Sequence, residues 1–296
     1  MLLEGVRVVD LTTVVMGPLA TRMLADMGAD VVWVESPEGD VLRDYEPMRS
    51  AKMSAFSMSM SRNKRSVLLD LKSEAGQQAI HDLLATADVF VTNMRRKAID
   101  RLGLDEPSVR ATRPDIVYCM ANGFGSDGPN ADKTAYDDVI QAASGLASTF
   151  AWHGGDPQLV PSILADKVAG VHVAFAIAAA LFDRQRSGKG ATLEIPMAET
   201  MAAFNLVEHL GGQTFRPQHG DFSYSRIRTP HRRPRRTKDG WIVVLPYSTD
   251  NWHRFFEYAG QPEFKHDERF ATGRERIKYS DELYGLLDDI VRKKTT

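Results

Sequence analysis

Apolar residues recur with two periods along this chain. Val6–Leu11, Ala29–Glu35, Ala87–Thr92 and Asp115–Met120 are short runs rich in Val, Ile and Phe, and each reads as a buried strand. Between them lie longer stretches with helical spacing: Leu19 to Gly28, where Gly28 is the stop, and Ser73 to Thr86, where Ser73 is the cap. A further strand follows the basic stretch RNKR at 62–65. Strands alternating with helices predict a doubly wound α/β layer, its parallel sheet covered on both faces. The glycine fingerprint G-x-G-x-x-G is absent from the first strand–helix turn, which argues against a nicotinamide dinucleotide site.

Residues 158–190 organise the rest. An extended entry leads to Asp166, and Lys167 to Arg186 then forms a long helix with apolar residues almost all round, ended by Ser187-Gly188. Such a helix is expected to be buried, with Arg184 and Arg186 suited to its negative end. Asp166 has two readings. As an N-cap it needs no chemistry. As a carboxylate kept ionised by helix N–H groups it is a candidate nucleophile. Residue type and position do not choose between them.

Other stretches add detail. The methionines Met48, Met53, Met58 and Met60 in the irregular segment 40–62 read as gap-fillers under a loop. Arg62, Lys64, Arg65, Lys72, Arg95, Arg96, Lys97 and Arg101 gather where strands end. That placement suits phosphates, though a solvated basic face gives the same pattern. Residues 134–148 form a helix opening with Tyr136, Asp137 and Asp138, and Met197 to Leu210 form another. From Arg226 to Arg236 arginines cluster before a Lys-Asp-Gly turn, as an anion contact or surface edge. The domains are read as 1–200, a linker 201–225, and a smaller α+β domain 226–296.

Composition narrows the classes. Hydrophobic residues are 43% and charged residues 26%, as in ordinary globular proteins. A net charge of −2 argues against a dedicated nucleic-acid partner. Cys119 is the one cysteine, so there is no internal disulfide and no cysteine-based metal site. The N-terminus lacks a signal-peptide layout. The longest apolar run, Val173 to Phe182, is short for a bilayer. A cytoplasmic protein with no membrane partner is expected.

Ordered motifs through most of the chain resemble the class III CoA-transferases, the formyl-CoA transferase and carnitine CoA-transferase family. They are VRVVDLTTVVMGPLATRMLADMGADVVWVE, SRNKRSVLLDLKSEAG, ADVFVTNMRRKAIDRLGL, RPDIVYCMANGFGSDGP, AYDDVIQAASGL, ADKVAG and RQRSGKGATLEIPMAE, with weaker matches in TKDGWIVV and DERFATGRER. The resemblance implies a Rossmann-like large domain, a small domain, and two chains threaded as an interlocked homodimer. It also implies a C-terminal return segment that is not found before the sequence ends at RKKTT. The implied substrates are an acyl-CoA and a small carboxylic acid, with coenzyme A as a substrate and no tightly bound cofactor or metal.

The family's catalytic aspartate falls on Asp166, which would form an acyl-aspartyl anhydride and then an aspartyl-CoA thioester. Asp137 matches a supporting acidic position. Implied CoA contacts are Val15, Met16, Leu69, Lys72, Asn93, Met94, Arg95, Arg101, Ala135 and Tyr136. A family arginine after the second strand corresponds to Ser36 here, with Arg43 or Arg49 as possible substitutes. The glycine-rich loop that shields the intermediate in some relatives has no clear match, and Gly154-Gly155 is not it. Trp152, His153 and the arginine cluster are candidates to line an acid pocket. The nearest rival is the α-methylacyl-CoA racemase branch, which needs a histidine where this chain has Ala135-Tyr136-Asp137. His172 is expected to be packed within the long helix. A catalytically silent CoA-binding protein is the reading from another class.

Overall fold

The computed structural model describes residues 1–296, without the side chains of His153 and Ser225. Its central sheet has six strands: β1 (Arg7–Leu11), β2 (Asp30–Glu35), β3 (Lys64–Leu68), β4 (Val89–Thr92), β5 (Val117–Met120) and β6 (Thr192–Glu194). All neighbouring pairs are parallel, and the spatial order is 3-2-1-4-5-6. The helices used below are α1 (Met16–Asp26), α2 (Glu74–Leu84), α3 (Asp137–Ala143), α4 (Leu164–Ser187), α5 (Met197–His209), α6 (Thr249–Ala259) and α7 (Ser280–Arg292). The doubly wound α/β expectation therefore holds for the sheet.

Alternation along the strands builds two faces. Val9 and Leu11 of β1 join Val34, Phe90, Tyr118 and Met120 in a cluster closed by Ile80 and Leu84 of α2. Asp10 points the other way, toward α1, and is fully buried. Its carboxylate accepts from the Thr12 N–H (3.1 Å) and hydroxyl (2.5 Å), the Thr21 hydroxyl (2.6 Å) and Lys64 Nζ (3.0 Å). A buried charge with this many donors is tolerated, whereas an unpaired one is not. The network fixes the turn from β1 into α1. Gly17 is required there, because a Cβ would sit 2.3 Å from that of Thr12.

The long helix departs from expectation in three ways. It begins at Leu164 with Ile163 as its uncapped flank, so Asp166 lies inside the first turn and is not the N-cap. Nor is the helix buried all round. Ala165, Ala169, Gly170, Val173, Ala174 and Ile177 form its inner face, while Val171, Phe175 and Phe182 are exposed. The cause is coverage: α4 packs on α1, α3 and β5, and its opposite side has no covering element among the described residues. His172 is likewise exposed, with Nδ1 2.8 Å from the Val168 carbonyl. The helix has 24 residues, and an 18-residue stretch of it has a mean hydropathy of 1.6, enough by length and composition to cross a bilayer. That differs from the reading of its uninterrupted apolar run, but core helices meet the same criterion.

The methionines also differ from expectation: Met48, Met53 and Met58 are exposed, and only Met60 is buried. The first two lie on a short hairpin, Met48–Ser50 with Met53–Ser54. On that hairpin both side chains face solvent, so neither fills a gap.

The chain forms two compact units, Met1–Ser144 with Leu159–Phe204, and Gly145–Gln158 with Asn205–Thr296. The sheet lies wholly in the first. The segment 145–158 belongs to the second unit, whereas the sequence reading kept it with the large domain. There Trp152 packs edge-on against His209, with ring centroids 4.8 Å apart. The second unit's own core joins Trp252 and Phe256 of α6 to Leu283, Tyr284, Leu287 and Val291 of α7. A capping box of Ser248 and Asn251 starts α6.

Candidate active site

Strand order reverses between β1 and β4, so the loops leaving these strands diverge and open a crevice at their carboxyl ends. The two loops are tied together. Asn93, just after β4, accepts the Thr13 N–H through Oδ1 (3.0 Å) and donates from Nδ2 to the Thr13 carbonyl (2.8 Å). Val14 is held at φ 67°, a left-handed conformation that costs a β-branched residue roughly 1–3 kcal/mol. Its N–H donates to Asp40 Oδ2 at 3.0 Å. This strained turn delivers the N-terminus of α1 to the crevice.

Asp166 faces that N-terminus. A Cβ on Gly170 would lie 2.7 Å from the Met16 carbonyl oxygen, so glycine is what lets α4 approach α1 so closely. The Met16 N–H then stabilises the ionised Asp166 carboxylate. Two larger influences act the other way. Burial disfavours the charge, and the neighbouring Asp137 carboxylate repels it, so the Asp166 pKa is raised to about 6. The expected ionising effect of the helix start is outweighed, although the group remains largely charged at neutral pH.

Asp137, at the start of α3, is buried. Its Oδ1 accepts the Asp166 N–H at 3.0 Å, so it supplies from a different helix the cap that α4 lacks. Its Oδ2 accepts from Gln141 Nε2 at 2.6 Å. Gln141 is fully buried and also clamps the extended entry, donating to the Ser162 carbonyl (3.1 Å) and accepting the Val160 N–H (2.8 Å). Gln141 was not singled out from sequence. Its only local signal is the four-residue spacing from Asp137, which places both on one helix face.

A cleft of about 580 Å³ gathers Met16, Asn93, Met94, Arg95, Ala135, Tyr136 and Asp166 from the sequence-derived set. Val15 instead turns inward beside Leu19, Leu42 and Met60. Leu69 and Lys72 line an adjoining hollow of about 500 Å³ that shares Thr13 and Met94 with the cleft. Arg101 edges a third hollow, again with Lys72 and Met94. The basic side of this surface consists of Arg95, Arg96, Lys97, Arg101 and Lys72, and Lys97 is already paired with Asp132 at 2.6 Å.

Neither arginine considered as a substitute at Ser36 lines the hollow that Ser36 lines. Arg43 forms a two-point pair with the buried Glu35 carboxylate (both contacts 2.6 Å). Arg49 lies with the exposed methionines. Glu35, at the end of β2 where a dinucleotide fold would bind a ribose, is saturated by Arg43, the Ser66 hydroxyl and the Asp40 N–H. Two further carboxylates shape the loop after β5: Glu194 holds Asn122 and Ser126, and Glu199 accepts the Gly125 N–H. No histidine lines the cleft among the described residues. Trp152 lies in the second unit, and the side chain of His153 is outside the described residues.

Comparison with known proteins agrees along the whole chain. The profile of CoA-transferase family III matches residues 3–296. A succinate–glutarate CoA-transferase of Agrobacterium fabrum is 33% identical, over 96% of this chain and 73% of its own length. A formyl-CoA:oxalate CoA-transferase of Streptomyces coelicolor is 33% identical, over 97% of this chain and 74% of its own. The crystal structure of a CAIB/BAIF family protein from Brucella suis superposes with a TM-score of 0.82 at 29% identity, over 99% of this chain and 79% of that one.

Proposed function

The chain belongs to CoA-transferase family III, and from that membership we propose that Asp166 is the nucleophile in transfer of CoA from an acyl-CoA to a carboxylic acid. The observation behind this reading is a half-buried carboxylate with its pKa raised to about 6, set against a backbone N–H in the switch-point crevice. A desolvated carboxylate is more basic and a better nucleophile than a solvated one. An Asp166 oxygen attacks the thioester carbonyl, the C–S bond breaks, and CoA leaves as thiolate with an acyl-aspartyl anhydride behind it. The thiolate then attacks the aspartyl carbonyl, freeing the donor carboxylate and leaving an aspartyl-CoA thioester. The acceptor acid reverses these two steps. Attack at the aspartyl carbonyl places negative charge on its oxygen, where the Met16 N–H is a preorganised donor.

Arg95, Arg101 and Lys72 suit the phosphates of CoA, and the acceptor is a small carboxylic acid, as the names of the relatives suggest. The racemase reading needs a second acid–base group on the opposite face of the α carbon, a histidine in that branch, and the position it would take is Tyr136 here, with no histidine lining the cleft among the described residues. The test is trapping. The protein is incubated with succinyl-CoA, treated with hydroxylamine, and the peptide containing Asp166 is read by mass spectrometry. A hydroxamate on Asp166, absent from Asp166→Ala, is expected. A folded, CoA-binding protein that yields no adduct from any acyl-CoA would refute covalent transfer, and α-proton exchange in deuterated water would then identify a racemase.

The functional unit in this proposal is a homodimer. Its support is the exposed apolar side of α4, with Val171, Phe175 and Phe182, which water alone would leave at high cost. Light scattering is expected to give twice the chain mass, and a monomer at micromolar concentration would overturn this part.

A further inference from the structure

The arginine-rich stretch has no part in the chemistry above, yet in the second unit it forms a site of its own. A cavity of about 210 Å³ is lined by Arg233, Arg235, Arg236 and Arg292, with Asp288 as its one carboxylate. Local structure brings them together. The short strands Arg235–Arg236 and Trp241–Ile242 pair antiparallel, and the last turns of α7 place Asp288 and Arg292 on one face.

The charges do not balance. Arg235 has a side chain only 4% exposed, and its Nη1 donates to Asp288 Oδ1 and to the His231 carbonyl, both at 2.7 Å. Its Nε is buried without an acceptor, and its Nη2 makes no hydrogen bond among the described residues. The second Asp288 oxygen is already shared by His231 Nδ1 (2.9 Å) and Arg233 Nη2 (3.5 Å). Arg236 stacks on Trp241 at 5.3 Å. Among the described residues, neither Arg236 nor Arg292 has an ion-pair partner. Four fixed positive charges thus share one negative charge, and burial already disfavours the charge on Arg235. A buried donor without an acceptor, such as Arg235 Nε, is costly, and an anion in the cavity would supply an acceptor.

We propose that this pocket binds a tetrahedral dianion, orthophosphate or a phosphomonoester, through Arg233, Arg235, Arg236 and Arg292. Planar guanidinium groups with free N–H donors match phosphate oxygens in both charge and geometry. It shares no lining residue with the crevice holding Asp166, and it does not depend on the transferase reading.

The experiment uses the whole chain and its double variant Arg236→Gln/Arg292→Gln, with fold checked by circular dichroism. Both residues are exposed, so the variant is expected to fold. Inorganic phosphate is titrated at constant ionic strength and followed by phosphorus NMR line broadening. Saturable broadening is expected in the parent, with affinity in the variant weaker by about tenfold or more. Displacement by glycerol 3-phosphate would identify a phosphomonoester site, and failure to displace would identify a site for the free anion. Equal broadening in parent and variant, broadening abolished by added CoA, or no broadening at all would overturn the proposal.

Discussion

Replacing Asp166 by Asn should make the protein more stable and inactive. The Asp166 pKa rises from 3.8 to about 6 on folding, a shift of roughly two units. At 1.36 kcal/mol per unit this corresponds to about 3 kcal/mol lost when the charged group is buried. Partial exposure of the site lowers the figure, so about 1–3 kcal/mol is expected. The sign follows from the proton. The folded state binds it more tightly, so the parent is relatively most stable below about pH 4, loses stability as pH rises toward 6, and stays lower above that. Asn is neutral throughout and still offers an oxygen to the Met16 N–H. Urea denaturation of parent and variant at fixed concentration tests this at pH 4.5 and pH 7.5. The variant should gain stability at pH 7.5, gain less at pH 4.5, show an unchanged m-value, and lose transferase activity by more than about a thousandfold. A variant less stable at pH 7.5, or a difference independent of pH, would show that the burial of Asp166 has been misjudged.

Three further changes probe the surroundings. Asp137→Asn removes the negative charge that helps raise the Asp166 pKa, so the acidic limb of the kcat/KM profile should move to lower pH; an unmoved limb would refute the coupling. Gly170→Ala places a methyl group 2.7 Å from the Met16 carbonyl oxygen. It should cost about 1–3 kcal/mol in denaturation and lower kcat by displacing the Met16 N–H, whereas full activity would mean the helices can separate harmlessly. Gln141→Ala leaves the Val160 N–H and one Asp137 oxygen without their partner. Hydrogen exchange should quicken across 159–166, with a stability loss of about 1–3 kcal/mol.

The strands were legible because their signal is local. Val, Ile and Phe in short runs with helices between them leave few packings other than a parallel sheet covered on both faces, and β1, β2, β4 and β5 lie within the runs read as strands. Asp166 was noticeable for a similar reason, as a lone carboxylate opening an apolar helix. Its state was not legible. The helix start argued for an ionised group, but burial and Asp137, 29 residues earlier in the chain, decide the balance. Gln141 escaped notice because its partners lie 19 and 21 residues away and no periodicity reports such a contact.

Sequence by itself determined the strands β1, β2, β4 and β5, the helices α2, α4 and α5, the parallel class of the sheet, and the motifs shared with the CoA-transferases, since each depends on residues near one another in the chain, whereas the helix read over 134–148 is broken at Gly145. Tertiary structure alone decided that Asp137 caps the helix of Asp166, that Val15 turns inward, that Arg43 is bound to Glu35, and that one side of α4 is left bare. These depend on which distant segments approach and how much water they exclude, and charge, burial and hydrogen bonding are set by that proximity in space.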